Sequence, residues 1–135
     1  MAHDTQGPLI VGMTTVQPDE AARLYAPLVG LDPQRQATAD SIANAGPSFR
    51  IETEAGQAVF TLSANAGRCW IHAARGTGQG MTEVGLNVIE QLAKEAGCKA
   101  VGFQTMRRGL LKKAQRLGYR IAGQVNSGNI LEKSI

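Results

Sequence analysis

The chain has few of the residues on which several classes of protein depend. Among its 135 residues are only two cysteines, Cys69 and Cys98, too few for a disulfide framework, so we expect buried free thiols. Its histidines, cysteines and carboxylates form no cluster with metal-ligand spacing, and we expect no metal site. No apolar run approaches the roughly 20 residues of a membrane span, and no basic-then-apolar leader opens the chain. These absences predict a cytoplasmic protein without a membrane partner.

The rest of the composition is that of a globular protein, with 43% hydrophobic residues. The length predicts a single domain over residues 1–135. Charge is distributed unevenly, because residues 1–67 carry a net −4 and residues 68–120 a net +7. The basic segment is typical of a site for a polyanionic ligand or partner, and equally of a solvated basic surface.

Hydrophobic periodicity and turn residues predict the element order β-α-α-β-β-β-α-β-α-β-β. The turn signals Ala55-Gly56 and Ala66-Gly67 favour an antiparallel meander for the second to fourth strands. The predicted elements are a strand at Leu9–Met13, a helix from Pro18 to Gly30, a helix over 33–44, strands at Phe49–Glu54, Ala58–Ala64 and Cys69–Ala73, a helix at Met81–Ala96, a strand at Ala100–Gln104, a helix at Leu110–Leu117, and strands at Tyr119–Val125 and Ile130–Lys133.

The most informative stretch is Arg75-Gly76-Thr77-Gly78-Gln79-Gly80-Met81, which lies between a predicted strand and the longest predicted helix. Its three glycines allow a tight turn and a close approach of the backbone to a ligand. The start of the helix adds unpaired N–H groups and the positive end of the helix dipole. With the guanidinium of Arg75 beside them, these groups predict a phosphate or pyrophosphate site.

Two common phosphate-binding motifs do not fit this stretch. A Walker loop ends in Gly-Lys-Ser/Thr, whereas this chain has Gly80-Met81-Thr82. The dinucleotide fingerprint, started at Gly78, requires a glycine where Glu83 stands. A different pattern, Arg-x-x-Gly-x-Gly, is met at Arg75, Gly78 and Gly80.

That pattern resembles the acetyl-CoA-binding motif of the GNAT (GCN5-related) N-acetyltransferases. The predicted element order is similar to that of the same family, as is the pair Gly118-Tyr119 after the fourth helix. The resemblance implies an α+β (α/β) fold with a mixed, mostly antiparallel central sheet and helices on both faces. The entries Gly97-Cys98-Lys99 and Arg107-Arg108-Gly109-Leu110 also look like those of small acetyltransferase-like proteins of tailed bacteriophages.

The resemblance implies acetyl-CoA as co-substrate and suggests where it binds. The backbone amides of Gly76, Thr77, Gly78, Gln79, Gly80 and Met81 would hold the pyrophosphate. The strand at Trp70 and Ile71 would pair with the pantetheine amides and diverge from the strand at Ala100–Gln104. Arg107 and Arg108 would approach cofactor phosphates. A packed core tryptophan and a pair of solvated arginines are the alternative interpretations.

Acetyl transfer to an amine also requires a proton acceptor, an N–H donor for the thioester oxygen and an acid for the thiolate. His72 is our candidate acceptor, since it lies beside the expected cleft and an unperturbed histidine has a pKa of about 6.5. A structural histidine is the alternative, with Glu52 and Glu54 as other candidate bases. A backbone amide near Ile71 is the candidate donor.

The acid is where the sequence departs from the family. Relatives often carry Asn-x-x-Ala-x-x-x-Tyr before the Gly-aromatic pair, and the tyrosine serves as the acid. Counting back from Tyr119 places Arg107, Leu110 and Ala114 at those three positions. The sequence therefore offers no acid in the family's place, and Tyr119 itself is expected in the core.

The sequence is compatible with three functions. The first is an N-acetyltransferase acting on a small-molecule or protein amine, in a family whose members often form homodimers. The second is a catalytically degenerate phage virion or assembly protein, with virion proteins as partners. The third is a nucleic-acid-associated module, suggested by Arg108, Lys112, Arg116 and Arg120, although aromatic residues make up only 4% of the chain and such a stripe is also typical of a solvated face.

Overall fold

The computed structural model describes residues 10–29, 38–125 and 128–135. Within these ranges seven strands and four helices follow one another in the predicted order. They are β1 (Ile10–Val16), α1 (Pro18–Val29), α2 (Ala39–Ala43), β2 (Ser48–Thr53), β3 (Gln57–Asn65), β4 (Arg68–Thr77), α3 (Met81–Glu95), β5 (Ala100–Thr105), α4 (Arg108–Arg116), β6 (Arg120–Val125) and β7 (Gly128–Ser134).

The strands form one sheet in the order β1-β2-β3-β4-β5-β7-β6. Neighbouring strands are antiparallel except for β4 and β5, which are parallel. This exception follows from the connection, because the chain between β4 and β5 crosses over through α3 instead of turning back. The mixed, mostly antiparallel sheet expected from the sequence is confirmed.

Helices cover both faces of the sheet, as expected. On one face α3 and α4 pack on the larger cluster of buried apolar side chains, which includes Phe60 and Leu62 of β3. On the other face α1 and α2 pack on a smaller cluster that includes Val59 of the same strand. The alternation of side chains along β3 therefore supplies both clusters from a single strand.

A buried polar network lies under α1. The hydroxyl of Tyr25 is 2.8 Å from Oγ1 of Thr61, which is 2.7 Å from Oγ of Ser48. Burial raises the pKa of Tyr25 to about 12, and the hydrogen bonds to Thr61 and Ser48 only partly oppose this effect. The hydrogen bonds satisfy polar groups that would otherwise destabilise this face.

A second polar link joins α3 to the strands beyond α4. The hydroxyl of Tyr119, after α4, donates a hydrogen bond of 2.9 Å to Oε2 of Glu90 in α3. The ammonium of Lys133 in β7 is 3.1 Å from Oε1 of the same carboxylate. One carboxylate thus holds α3 to β7 and to the end of α4.

The largest difference from the predicted boundaries is in β4. The sequence predicts a strand that ends at Ala73, whereas β4 continues to Thr77 because β3 pairs with it as far as Gln57↔Thr77. Gly76 is part of this extension, and a Cβ there would be 3.3 Å from both Cβ of Ala58 and the carbonyl oxygen of Gln57. Arg75, Gly76 and Thr77 are therefore strand residues, which corrects their assignment to the loop.

The other boundaries shift by smaller amounts. β1 runs on to Val16, and the part of the second predicted helix that the structure describes is α2, whose start is capped by Thr38 and Ser41. Leu9, Gly30 and residues 33–37 of the predicted elements lie outside the described residues, as do Asn126 and Ser127 of the last turn.

Both cysteines are buried and unpaired with each other. Within the described ranges, no group of three or more His, Cys, Asp or Glu side chains is placed to hold a metal ion. In the same ranges no helix combines the length and the apolar character needed to cross a bilayer.

Candidate functional site

The central feature of the sheet is the point at which β4 and β5 part. The two strands pair from Arg68↔Ala100 to Ile71↔Phe103, and the described register ends there. β4 continues to Thr77 and β5 to Thr105. A strand edge without a neighbour offers its backbone N–H and C=O groups to an extended ligand. The sheet therefore contains an internal cleft with such an edge on its β4 side.

A β-bulge lies at the same point. β3 pairs Leu62 with Ile71 and Thr61 with Ala73, so His72 is an extra residue in β4. A bulge bends its strand and increases the local twist. This bend gives a physical reason for β4 to leave β5 after Ile71.

His72, the candidate proton acceptor, is therefore located where the cleft begins. Its side chain is half-buried, and Nε2 lies 2.7 Å from Oγ of Ser63 in β3. The hydrogen bond holds the imidazole in one orientation. The backbone of His72 is thus at the apex of the cleft, and its ring contacts Ser63 of β3, the strand on the other side of β4 from β5.

The two glutamates considered as other bases lie elsewhere. Glu52 pairs with Gln57 in β3, which pairs in turn with Thr77 at the far end of β4. At about 3.3 Å per residue, that row is roughly 20 Å from Ile71. Glu54 comes just after β2, near the same end. Neither glutamate reaches the apex, which corrects their inclusion as candidate bases.

Trp70 does not line the open part of the cleft. It pairs with Gly102, in the segment where β4 and β5 are still joined. A Cβ on Gly102 would be 3.1 Å from Cζ3 of Trp70, so the indole packs closely against that glycine. The guanidinium of Arg68 covers the ring at 4.9 Å. Trp70 was expected to bind the cofactor, and the structure corrects this to packing against Gly102. Ile71 is the last residue of β4 that pairs with β5.

Gly78, in the loop before α3, is shaped by a neighbouring turn. Its φ is +108°, and a Cβ there would be 2.1 Å from the carbonyl oxygen of Ala55. The sequence suggested that this glycine admits a ligand. In the structure it makes room for the β2–β3 turn. Gly56 of that turn is fitted as closely, because a Cβ added to it would be 1.8 Å from the carbonyl oxygen of Thr77.

The start of α3 has free donors. Gly80 is the N-cap with a left-handed φ of 77° and has no side chain to cap the helix. The first hydrogen bond of the helix runs from the N–H of Val84 to the carbonyl of Gly80, at 3.2 Å. The N–H groups of Met81, Thr82 and Glu83 thus lack helical acceptors, and such a helix start favours an anion.

The side chains around these N–H groups are those of Gln79, Met81 and Glu83. Gln79 is exposed and Met81 is buried, with its sulfur accepting a hydrogen bond from Thr53. Glu83 places a carboxylate in the first turn, and its Oε1 is buried without a hydrogen-bond partner among the described residues. We did not single out Glu83 as a site residue from the sequence. Its charge stabilises the helix dipole but opposes a second anion.

Arg75 is directed away from this helix start. Its Nη1 donates a hydrogen bond of 2.8 Å to the carbonyl of Leu24 in α1, on the opposite face of the sheet from α3. The sequence predicted Arg75 at the edge of the phosphate site. The structure does not bring the guanidinium and the free amides together, which corrects that expectation.

Arg107 and Arg108 line a cavity between the end of β5, α4 and the start of β7. Arg107 is the N-cap of α4 and Arg108 its first residue. The cavity has a volume of about 440 Å³ and is lined by Thr105, Met106, Arg107, Arg108, Leu111, Lys112, Gln115, Gly128 and Asn129. The spacing of 108, 111, 112 and 115 on one helix face was a sequence signal for it, but the contribution of β7 was not foreseen.

The predicted basic stripe runs along α4 and just past its end, as the sequence indicates. Arg108, Lys112 and Arg116 follow one another on α4. Arg120 is the first residue of β6 and pairs with Glu132 of β7. The stripe therefore has three residues on the helix, and its fourth lies beside an acid.

Among the described residues, none takes the place of the tyrosine that serves as acid in the GNAT enzymes. Ala114 is fully buried. Burial, followed by the neighbouring charge of Glu90, raises the pKa of Tyr119 far above its ordinary value, so this hydroxyl stays protonated in the core. Burial also raises the pKa of Cys69 to about 11, with a smaller contribution from Cys98, and a buried thiol of that kind is a poor nucleophile.

No protein-family model and no curated protein matches the chain. Solved structures do. An acetyltransferase of the GNAT family from Listeria monocytogenes is 12% identical, over 92% of this chain and 94% of that one, with a TM-score of 0.63. A GCN5-related N-acetyltransferase from Kribbella flavida is also 12% identical, over 92% and 97%, with a TM-score of 0.62.

A third similar structure contains coenzyme A. It is N-acetylglutamate synthase from Neisseria gonorrhoeae, complexed with coenzyme A and N-acetyl-glutamate. It is 14% identical over 92% of this chain and 35% of that one, with a TM-score of 0.63. At these identities the likeness establishes the architecture of the chain.

Proposed function

The chain has the fold of the GNAT N-acetyltransferases, and from that premise we propose that it binds acetyl-CoA and transfers the acetyl group to an amine. The proposal depends above all on the parting of β4 and β5 at His72. This cleft opens next to a helix start with uncapped N–H groups. The two features together fit a ligand with an extended amide-bearing arm and a diphosphate.

The free amides of the loop and of α3 would hold the diphosphate. The N–H groups from Gln79 to Glu83 are the donors that we assign to it. A hydrogen bond to a charged oxygen contributes about 1.5–3 kcal/mol, so several of them suffice for binding in the micromolar range. The exposed edge of β4 beyond Ile71 would pair with the amide groups of the arm, as an added strand pairs with a sheet.

Catalysis would rest on few groups. Acetyl-CoA supplies the acyl group already activated as a thioester. His72 would accept the proton of the amine, with Ser63 holding the ring in place at 2.7 Å. A backbone N–H beside Ile71 would stabilise charge on the acyl oxygen. Holding the amine and the acyl group together at the cleft supplies much of the acceleration by itself.

Calorimetric titration of the protein with CoA and acetyl-CoA tests the first half of the proposal. We expect saturable binding in the micromolar range. The matched variant is Gly80→Val, which crowds the free amides and requires a side chain at a positive φ. Absence of heat at high micromolar cofactor with the wild-type protein would overturn the proposal.

Turnover with a panel of amines tests the second half. His72→Gln removes the proton acceptor and keeps a side chain that can hydrogen-bond Ser63. We expect its kcat to fall about 100-fold with unchanged affinity for CoA. Equal turnover by the variant and the wild type would exclude His72 as the base.

The absent acid favours a second candidate, a GNAT-fold protein that binds without catalysis. Its support is the combination of Ala114 in the tyrosine's place and Tyr119 held in the core by Glu90. Binding of CoA by the wild type, without turnover of any amine, would select this alternative. A role in virion assembly would then be tested by co-purification with virion proteins.

A further inference from the structure

The cavity beside α4 is not used by the proposed acetyl transfer. It lies between the first two turns of α4 and the start of β7, and its volume is about 440 Å³. That size is within the range of pockets that enclose a small molecule. The β7 side is formed by Gly128 and Asn129, which follow the β6–β7 turn.

Three cations surround this cavity. They are Arg107, Arg108 and Lys112, and none of the described residues that line the cavity is an acid. Among the ion pairs between described residues, none includes any of these three side chains. Positive charges gathered around a concave surface without counter-charges attract an anion.

The cavity wall also has neutral and apolar parts. Leu111 is half-buried, and Met106 is 48% exposed although it is apolar. Gln115 and Asn129 add amide groups. A ligand that fits this lining has at least two negative charges next to a short uncharged body.

The residues that line the cavity differ from those assigned to the proposed cofactor site. Leu110, Leu111, Ala114 and Leu117 belong to or pack on the cluster that contains residues of α3. Arg108, Lys112 and Gln115 recur at helical spacing on a different face of α4, and that face lines the cavity together with Leu111 at its border. None of the described residues that line the cavity belongs to the free helix start at Gln79–Glu83 or to β4.

We propose that this cavity binds a small molecule with two or more negative charges, a phosphate ester or a polycarboxylate, at a site distinct from the acetyl-CoA site. Arg108 and Lys112 supply the principal contacts and Arg107 the third charge. The proposal goes beyond the acetyl transfer and does not depend on it. It also revises the expectation that Arg107 and Arg108 approach cofactor phosphates.

Titration with pyrophosphate and with citrate, at low ionic strength, distinguishes the two ligand classes. Each is titrated with and without saturating CoA, because pyrophosphate also fits the start of α3. We expect one of the probes to bind in the presence of CoA and to lose affinity at least tenfold in the double variant R108Q/K112Q. Thermal unfolding confirms that the variant is folded.

The chain offers a matched control on the same helix. Lys113 and Arg116 belong to α4 but do not line the cavity. The double variant K113Q/R116Q removes the same charge, and we expect its affinity for the probe to change less than threefold. A difference between the two double variants is the signature of a site, as opposed to a diffuse basic surface.

Three outcomes would overturn the proposal. The first is no saturable binding of either probe at millimolar concentration. The second is an equal loss in both double variants, which would indicate only a solvated basic face. The third is weaker binding of CoA, but not of 3′-dephospho-CoA, by R108Q/K112Q, which would assign the cavity to the cofactor's phosphate. Failure of CoA to bind any variant would remove the acetyltransferase proposal and leave this test intact.

Discussion

The starts of α3 and α4 differ in how they present positive charge. The start of α3 has a glycine cap, free backbone N–H groups and one acid, Glu83, in its first turn. The start of α4 has arginines at its cap and first position and no acid in its first turn. One helix start presents positive charge through its backbone and the other through its side chains. The two anion sites that we propose there should therefore differ in their tolerance to mutation.

The backbone site depends on the shape of the chain around it, since Gly78 is fitted against the β2–β3 turn. The side-chain site depends on charges that can be removed without disturbing the chain. Substitutions at the start of α3 should therefore lower the free energy of unfolding more than substitutions at the start of α4. Equal losses would contradict this difference between a backbone site and a side-chain site.

The largest effect is expected for Gly78→Ala. Its Cβ would be 2.1 Å from the carbonyl of Ala55, in a residue with φ of +108°. We expect the free energy of unfolding to fall by roughly 3 kcal/mol, measured by chemical denaturation. The control is Gly109→Ala in the first turn of α4, where nothing lies within 4 Å of the added Cβ. It should leave stability unchanged or raise it by up to about 1 kcal/mol.

A second test addresses the core that both helices share. Burial raises the pKa of Cys69 from 9.0 to about 11, so the folded protein keeps a proton that the unfolded chain loses. The stabilisation is complete below pH 9 and is lost as the pH rises to 11, by roughly 2 kcal/mol. Urea unfolding at a series of pH values measures how steeply the free energy of unfolding falls between pH 9 and pH 11. This fall should be smaller in Cys69→Ala. An unchanged fall would assign the pH dependence to other groups.

A third test concerns the link between the two helices. In Tyr119→Phe the hydrogen bond to Glu90 is lost, while Lys133 still pairs with that carboxylate. We expect a loss of about 1 kcal/mol in unfolding free energy and unchanged affinity for CoA. Tyr25→Phe removes a comparable hydrogen bond on the opposite face and serves as the control. Loss of CoA affinity in Tyr119→Phe alone would show that the link also shapes the cofactor site.

The smallest effect is expected for Glu83→Gln. Removing this carboxylate from the start of α3 should change stability by less than about 0.5 kcal/mol and raise the affinity for CoA about threefold, since a like charge leaves the anion site. Calorimetry measures the affinity. Glu95→Gln, at the last residue of α3, is the matched control and should have no effect on it. A weaker affinity in Glu83→Gln would mean that the acid supports the site.

The order and type of the elements could be predicted because their signals are local. The helix predicted at Met81–Ala96 is observed at Met81–Glu95, since its apolar spacing and its glycine borders are contained in one stretch. The extent of β4 could not be predicted in the same way. Its last residues are strand because β3 pairs with them, and Gly76 by itself indicates a turn.

The site was predicted less completely than the fold. The glycine-rich loop and His72 could be identified from residue types, and the structure places His72 at the apex of the cleft. The direction of Arg75 and the packing of Trp70 on Gly102 depend on strand register, which leaves no mark in a single sequence. The cavity at α4 also depends on β7, which lies beside the helix. Like the strand register, this long-range contact could not be predicted from the sequence.

The extra residue at His72 also decides which helix each later side chain of β4 meets. Before it, Ile71 belongs to the cluster under α3; after it, Ala73 packs with the cluster under α1, and Arg75 bonds α1 as well. Strict alternation would have put 71, 73 and 75 on one side. Deleting His72 would therefore leave the residues from 73 onward on their present faces, whereas drawing His72 into regular pairing with β3 would exchange those faces and turn Arg75 toward the α3 side of the sheet.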